Sequence, residues 1–319
     1  MRKFLSATLA VSASLMAAKA SATQVVVIPT EGTVQAVVAT QVGSFIQTQR
    51  GTFRLDEGEC LANVCITADV IRGLPQAAPA GALPDGKIAT ADQGDIRRAW
   101  YGRPTDRYAH AVLGDAIEAG SLVVETTDGA AVELVLPDAQ VFEDITPRIF
   151  DLDGNGENEV ITIRASQTGG AAVLVYGLED GALVERAASS ENGQRNRWLN
   201  IAHIEDGALA FVRTPHIGGR LSVLRYNGPG AFQEINDLYV GVSNHLIGSR
   251  ELDLSEPFEA GAITGIALPS QNRDKLVFVR TGDDVTEVAL PGKVDKAIIA
   301  VGNTLVTATE NGALIAIKP

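Results

Sequence analysis

Ala171-Ala-Val-Leu-Val-Tyr176, followed by the turn Asp180-Gly181, decides the fold because the pattern returns along the chain. Gly120-Ser-Leu-Val-Val-Glu125, Arg220-Leu-Ser-Val-Leu-Arg225 and Lys275-Leu-Val-Phe-Val-Arg280 share its make-up. Each runs into a turn of its own: Asp128-Gly129, Gly228-Pro-Gly230 and Gly282-Asp283. Short β-branched runs bounded by Gly and Asp turns read as strands. A return every ~50 residues, with several short strands per unit, is the period of propeller blades. A helical solenoid would show a sustained 3.6-residue periodicity, which is absent. The tail from Thr304 to Ile317 repeats the first two strands of the unit and stops, so the strand near Val25–Ile28 is expected to complete it. Pairing of the N- and C-terminal strands removes free sheet edges. The expectation is an all-β chain: a β-propeller of about 5–7 four-stranded blades, closed by its two ends.

Upstream the pattern loosens. Gln24–Pro29, Thr33–Val38, Ser44–Thr48 and Thr52–Leu55 read as strands, whereas residues 73–95 are rich in Gly, Pro, Ala and Asp and read as a long surface loop. Residues 23–319 are therefore expected to form a single propeller domain, irregular over 23–99 and regular over 100–319. Residues 1–22 have Arg2-Lys3, an apolar run to about Ala18 and Ala20-Ser21-Ala22, the layout of a secretory signal peptide. Its cleavage removes three basic residues and no acid, taking the net charge from −13 to −16. A surface this anionic repels phosphate backbones and acidic lipid, so neither nucleic-acid binding nor membrane insertion is expected. Export to periplasm or medium also favours a disulfide between Cys60 and Cys65.

Asp151-Leu-Asp-Gly-Asn-Gly-Glu-Asn-Glu159 spaces oxygen-bearing side chains along a short loop with glycines between them. Calcium takes six to eight oxygens, and a loop of this kind can wrap one. An EF-hand is excluded, because its twelfth position is Thr162 and its flank is β-branched. With the 50-residue repeat, this loop resembles the exported bacterial type of the FG-GAP/VCBS-repeat propellers, the integrin-α-like family. The resemblance implies one calcium, with Asp151, Asp153, Asn155 and Glu159 ligating by side chain and Glu157 by its carbonyl. The equivalent loops at Ile204–Gly207 and Phe258–Gly261 lack the pattern, which makes the single site a structural staple.

Four histidines occur, none at zinc-type spacing. Blade geometry can nevertheless gather His110, His216 and His245 at one face. Arg148, Trp198, Asn200, Asn244 and Arg250 fall before or at the starts of innermost strands and join them as a candidate binding face. The competing structural reading packs Trp198 between blades and pairs the arginines with acids such as Glu143 or Glu251. No nucleophile elbow, P-loop or dinucleotide fingerprint is present. The leading functional expectation is a non-catalytic, calcium-stabilised binding or scaffold module for a protein or glycan. The alternatives are a propeller hydrolase or lyase using the central-channel face, or an envelope assembly scaffold. Converging histidines would favour the enzyme, and dispersed, paired side chains the binder.

Overall fold

The computed structural model describes residues 23–258, 265–280 and 284–319. The leader 1–22, the loop at 259–261 and the turn Gly282-Asp283 lie outside the described residues. Six four-stranded antiparallel units follow one another. The first holds β2 (Val34–Thr40), β3 (Gly43–Thr48), β4 (Gly51–Glu57) and β5 (Val64–Ala68). The second holds β6 (Ala89–Thr90), β7 (Ile96–Thr105), β8 (Glu118–Thr126) and β9 (Ala131–Val135). In the third, β10 (Gln140–Phe142) and β11 (Arg148–Phe150) are two halves of one interrupted first strand, beside β12 (Glu159–Ser166), β13 (Gly170–Glu179) and β14 (Ala182–Ala188). The fourth is β15 (Leu199–Glu205), β16 (Ala208–Arg213), β17 (Gly219–Tyr226) and β18 (Phe232–Val242). The fifth is β19 (Glu256–Pro257), β20 (Gly265–Pro269), β21 (Lys275–Arg280) and β22 (Val285–Ala289).

The sixth unit joins the chain ends. β23 (Ile299–Val301), β24 (Thr304–Ala308) and β25 (Leu314–Lys318) supply three strands, and β1 (Gln24–Ile28) is the fourth. β1 runs antiparallel to β25 from Gln24 opposite Lys318 to Ile28 opposite Leu314. The tail carries the second and third strands of its unit rather than the first two, because the short β23 precedes it as the first. The four sequence repeats are all third strands: β8, β13, β17 and β21.

Burial explains why those strands read as continuous apolar runs. β13 is buried through eight consecutive residues and β16 through six, because neighbouring units cover both faces of a middle strand. Fourth strands such as β9 and β22 face water, and β9 alternates. Each of five apolar clusters is shared by two adjacent units: second and third, third and fourth, fourth and fifth, fifth and sixth, and sixth and first. Between the first and second units runs the long segment 69–88. It is anchored by buried Leu83 and Ile88, with Leu83 N–H donating to Tyr101 O at 3.1 Å and Lys87 N–H to Ile145 O at 3.1 Å. A close approach sets one glycine: a Cβ on Gly219 would lie 1.8 Å from Val242 O. The Cys60–Cys65 disulfide is formed, in the connection from β4 to β5.

Candidate functional site

Antiparallel units have two ends. First-to-second and third-to-fourth connections emerge at one end; second-to-third connections and the links to the next unit emerge at the other. Loop 151–158 and the disulfide belong to the former end. To the latter belong loop 106–117, the gap 143–147 in the third unit's first strand, Trp198, turn 214–218 and the link 243–255. Residues far apart in sequence meet there.

His216, His245 and Trp198 form one stack. Trp198 is buried and lies parallel to His216, 6.0 Å between ring centroids, and tilted against His245 at 4.6 Å. Its indole N–H donates to Glu143 O at 2.9 Å. The hydrogen bonds determine the imidazole tautomers. Ser249 O only accepts, so His245 Nε2, at 2.9 Å, carries a proton. Neutral His245 then offers the Nδ1 lone pair, to which His216 Nε2–H donates at 2.8 Å. His216 Nδ1 is left as an unprotonated acceptor. Burial holds both rings neutral, pushing His216 down to about 3 and His245 to about 4.

His110 stands nearby; its charge is among those that disfavour protonation of His216. Its Nδ1 lies 2.5 Å from Glu143 Oε1. The Glu143 side chain is fully buried, and its second oxygen, Oε2, has no hydrogen-bond partner. Burial raises Glu143 well above the carboxylate range, and burial with the nearby Glu143, Asp115 and Asp85 charges pushes Glu118 up to about 9. Tyr108 completes the wall: its hydroxyl accepts Asn196 N–H at 2.8 Å, and the Arg195 guanidinium lies 5.4 Å from its ring centroid. The site thus sets imidazoles that burial keeps neutral beside carboxyls whose charged form burial and their mutual repulsion disfavour, environments that drive acid and base pKa values apart. Glu118 and Glu143 were missed as site residues. The available signal was a carboxylate inside otherwise apolar runs, as in Val141-Phe-Glu-Asp-Ile145.

The rest of the expected face is structural. Arg148 pairs with Asp144, which also accepts the Tyr101 hydroxyl at 2.8 Å and its neighbour Ile145 N–H at 2.9 Å. Arg250 bridges Asp85 at 2.8 Å and Asp115 at 2.5 Å. The arginines are paired, but with acids other than Glu143 and Glu251. Asn200 donates to Asn244 O at 3.2 Å and Leu252 O at 2.8 Å, while Asn244 donates back to Ile201 O at 3.3 Å. Both amides are fully buried and tie β15 to the link 243–255.

At the opposite end, carboxylate oxygens of Asp151, Asp153 and Glu159 lie within 4.8 Å of one another, the sole such group of three metal-ligating side chains among the described residues. Gly154 and Gly156 take φ of 70° and 90°, so the glycines serve the tight wrap. Asp151 accepts Asn155 N–H at 3.1 Å and Gly156 N–H at 2.9 Å; Glu159 accepts Leu152 N–H at 2.9 Å. Burial first, then the Asp153 and Asp151 charges, push Glu159 up to about 7. Asp153 Oδ1 is buried without a partner. Converging carboxylates with an orphaned oxygen fit a hard cation. Asn155 and Glu157 are exposed, and Asn155 Oδ1 accepts Glu157 N–H at 2.6 Å.

No family model matches the chain, and neither does any curated protein. Among solved structures it is similar to virginiamycin B lyase from Staphylococcus aureus, at 13% identity and TM-score 0.45, over 93% of this chain and 99% of that one. A streptogramin B lyase aligns at 12% identity and TM-score 0.39, covering 93% and 97%. BamB from Moraxella catarrhalis aligns at 12% and 0.27, covering 93% and 98%. At these scores the likenesses carry no conclusion about substrate or partner. They do correct the family expected from sequence: these neighbours are lyase and BamB propellers rather than integrin-like FG-GAP/VCBS ones. The reason is physical. A 50-residue period reports blade size, common to many propellers, and one acidic Gly loop reports a local wrap rather than descent.

Proposed function

We propose that this chain is an exported β-propeller enzyme, a lyase or hydrolase working by proton transfer at the face that carries His110, Glu143 and His216. The observation that supports it most is the His110–Glu143 contact at 2.5 Å beside an imidazole whose Nδ1 is unprotonated. With Glu143 protonated and donating to His110 Nδ1, His110 Nε2 carries a proton that it can release outward. Glu143 then passes its own proton to Nδ1, and the pair is left as a carboxylate holding a neutral ring. His216 Nδ1 is the acceptor for a substrate proton, and Glu118 keeps the surroundings short of negative charge. Donor and acceptor together suit an elimination: one proton leaves carbon while another reaches the departing oxygen. The same pair suits activation of water for hydrolysis.

Two further readings belong with it. Export rests on the leader pattern in 1–22 and on the formed disulfide, which suits an oxidising compartment. No helix among the described residues is long and apolar enough to cross a membrane. Calcium, held by Asp151, Asp153 and Glu159 with Asn155 and Glu157 beside them, would pin the β11–β12 connection and neutralise its carboxylates. It takes no part in the chemistry, because the loop emerges at the opposite end.

The test is turnover by the mature protein, His110→Gln, Glu143→Gln and His216→Gln. Polyuronates would be followed by the absorbance of the alkene that elimination forms, and p-nitrophenyl esters by hydrolysis. A loss of about 100-fold or more is expected for His110→Gln. Turnover indifferent to all three substitutions, or none with either substrate class, returns the chain to the non-catalytic protein- or glycan-binding reading.

A further inference from the structure

The cavity among the first strands carries an inference independent of the acid–base reading. Segments of β2, β15, β19 and β23 enclose about 610 Å³ together with the link 250–257. That volume is in the range of small-molecule sites. Apolar walls come from Val37, Leu74, Pro257 and Ile298, and three carboxylates enter between them: Glu251, Asp253 and Glu256.

Protein cations do not balance those carboxylates. Arg250 is committed to Asp85 and Asp115, and His203 lies 3.8 Å from Glu205. Lys87 lines the cavity, and Lys296 acts on Glu251 through space while held to Asp295 at 2.6 Å. Glu251 is held by Asp253 N–H at 3.0 Å, and Glu256 by the Ala300 backbone. Asp253 has both backbone groups in use, its N–H on Glu251 and its carbonyl accepting Ile298 N–H at 2.8 Å. Among the described residues no hydrogen bond reaches its carboxylate, although Arg148 acts on it through space. That carboxylate is open to water from the cavity yet surrounded by protein, which disfavours its charge. A cation delivered there would lie in surroundings where charge attraction is stronger than in bulk water.

We propose that this cavity binds an organic cation, an ammonium group carried on an apolar body, with the charge at Asp253 and Glu256 and the body against Leu74 and Ile298. A bare metal ion fits less well. Among the described residues only Asp151, Asp153 and Glu159 bring three ligand atoms within 4.8 Å, and apolar walls offer an ion nothing. An anion would meet the carboxylates.

The probe is n-hexylammonium, titrated calorimetrically into the mature protein with hexanol and hexanoate as controls. Saturable one-to-one binding of hexylammonium is expected, with both controls weaker by at least about tenfold, the scale set by loss of a charge partner. Asp253→Asn and Glu256→Gln should each weaken hexylammonium to a similar extent. Leu74→Trp occupies the cavity without touching its charge; Leu74 is 55% exposed, so this variant is expected to fold and should block binding if Asp253→Asn does not fold. Equal binding of hexanol or hexanoate overturns the proposal. So does an absence of saturation, or affinity unchanged in both Asp253→Asn and Leu74→Trp.

Discussion

Glu118→Gln should stabilise this protein at neutral pH. Glu118 opens β8, is 3% exposed, and is pushed up to about 9 by burial and by the Glu143, Asp115 and Asp85 charges. In the unfolded chain its pKa returns to about 4.5. Folding must then bind a proton at any pH between those two values. The folded-state pKa is raised, so the stability is fully present below about 4.5 and is lost as pH rises toward about 9. At 1.36 kcal/mol per pH unit, the loss reaches ~3 kcal/mol by pH 7. Glutamine keeps the shape, cannot ionise in either state, and escapes that loss. Urea unfolding of wild type and variant from pH 4 to 9 reads the effect of Glu118 and of the carboxyls coupled to it, since groups that do not interact with Glu118 cancel in the difference. The difference should climb by about 1.4 kcal/mol per unit from pH 5 and level off near 9. A pH-independent difference would refute the claim that Glu118 is protonated in the folded protein, and with it the supply of neutral carboxyls at the site.

Calcium should raise the thermal midpoint of wild type but not of Asp153→Ala, the gain at a hundredfold excess over Kd amounting to about 2.7 kcal/mol; equal shifts in both proteins would exclude the loop. His216 and His245 should show no imidazole titration by NMR above about pH 5, given values of about 3 and about 4. Those two depressed values add stability that is complete above the unfolded pKa of ~6.5 and fades as pH falls toward 4. Tyr101→Phe removes one bond to the buried Asp144 carboxylate and should cost about 1.5–3 kcal/mol in urea melts; a change below about 0.5 kcal/mol would show that Arg148 and Ile145 N–H suffice. Replacing Cys60 and Cys65 together by serine should cost about 2 kcal/mol, the loop-entropy value for so short a ring, measured by denaturation without reductant.

Much of the architecture was legible in the chain itself. Middle strands are covered on both faces, so β8, β13, β17 and β21 had to be written as unbroken apolar runs, and the turns between them needed Gly and Asp. Local rules of this kind act over a few residues and survive in one dimension. They foretold the strands, the unit length and the closure by Val25–Ile28. They did not discriminate among propeller families, because blade size and a Gly-rich acidic loop are not specific to one. Nor did they separate structural from functional polar residues. Asn200, Asn244, Arg148 and Arg250 fall before or at the starts of inner strands, as His245 does, whereas His110 and His216 sit in second-to-third turns. Arg148 and Arg250 turned out to be paired with acids and the Asn200 and Asn244 amide nitrogens to donate to neighbouring backbone, while the histidines converge from three connections in two units and their link to a third. That division depends on which loops share an end of the antiparallel units and on which atoms meet within 3 Å. The elevated carboxyls at Glu118 and Glu143 depend on burial by other blades. Contacts between residues some 30 or more positions apart, and the desolvation they impose, exist only once neighbouring units have packed together.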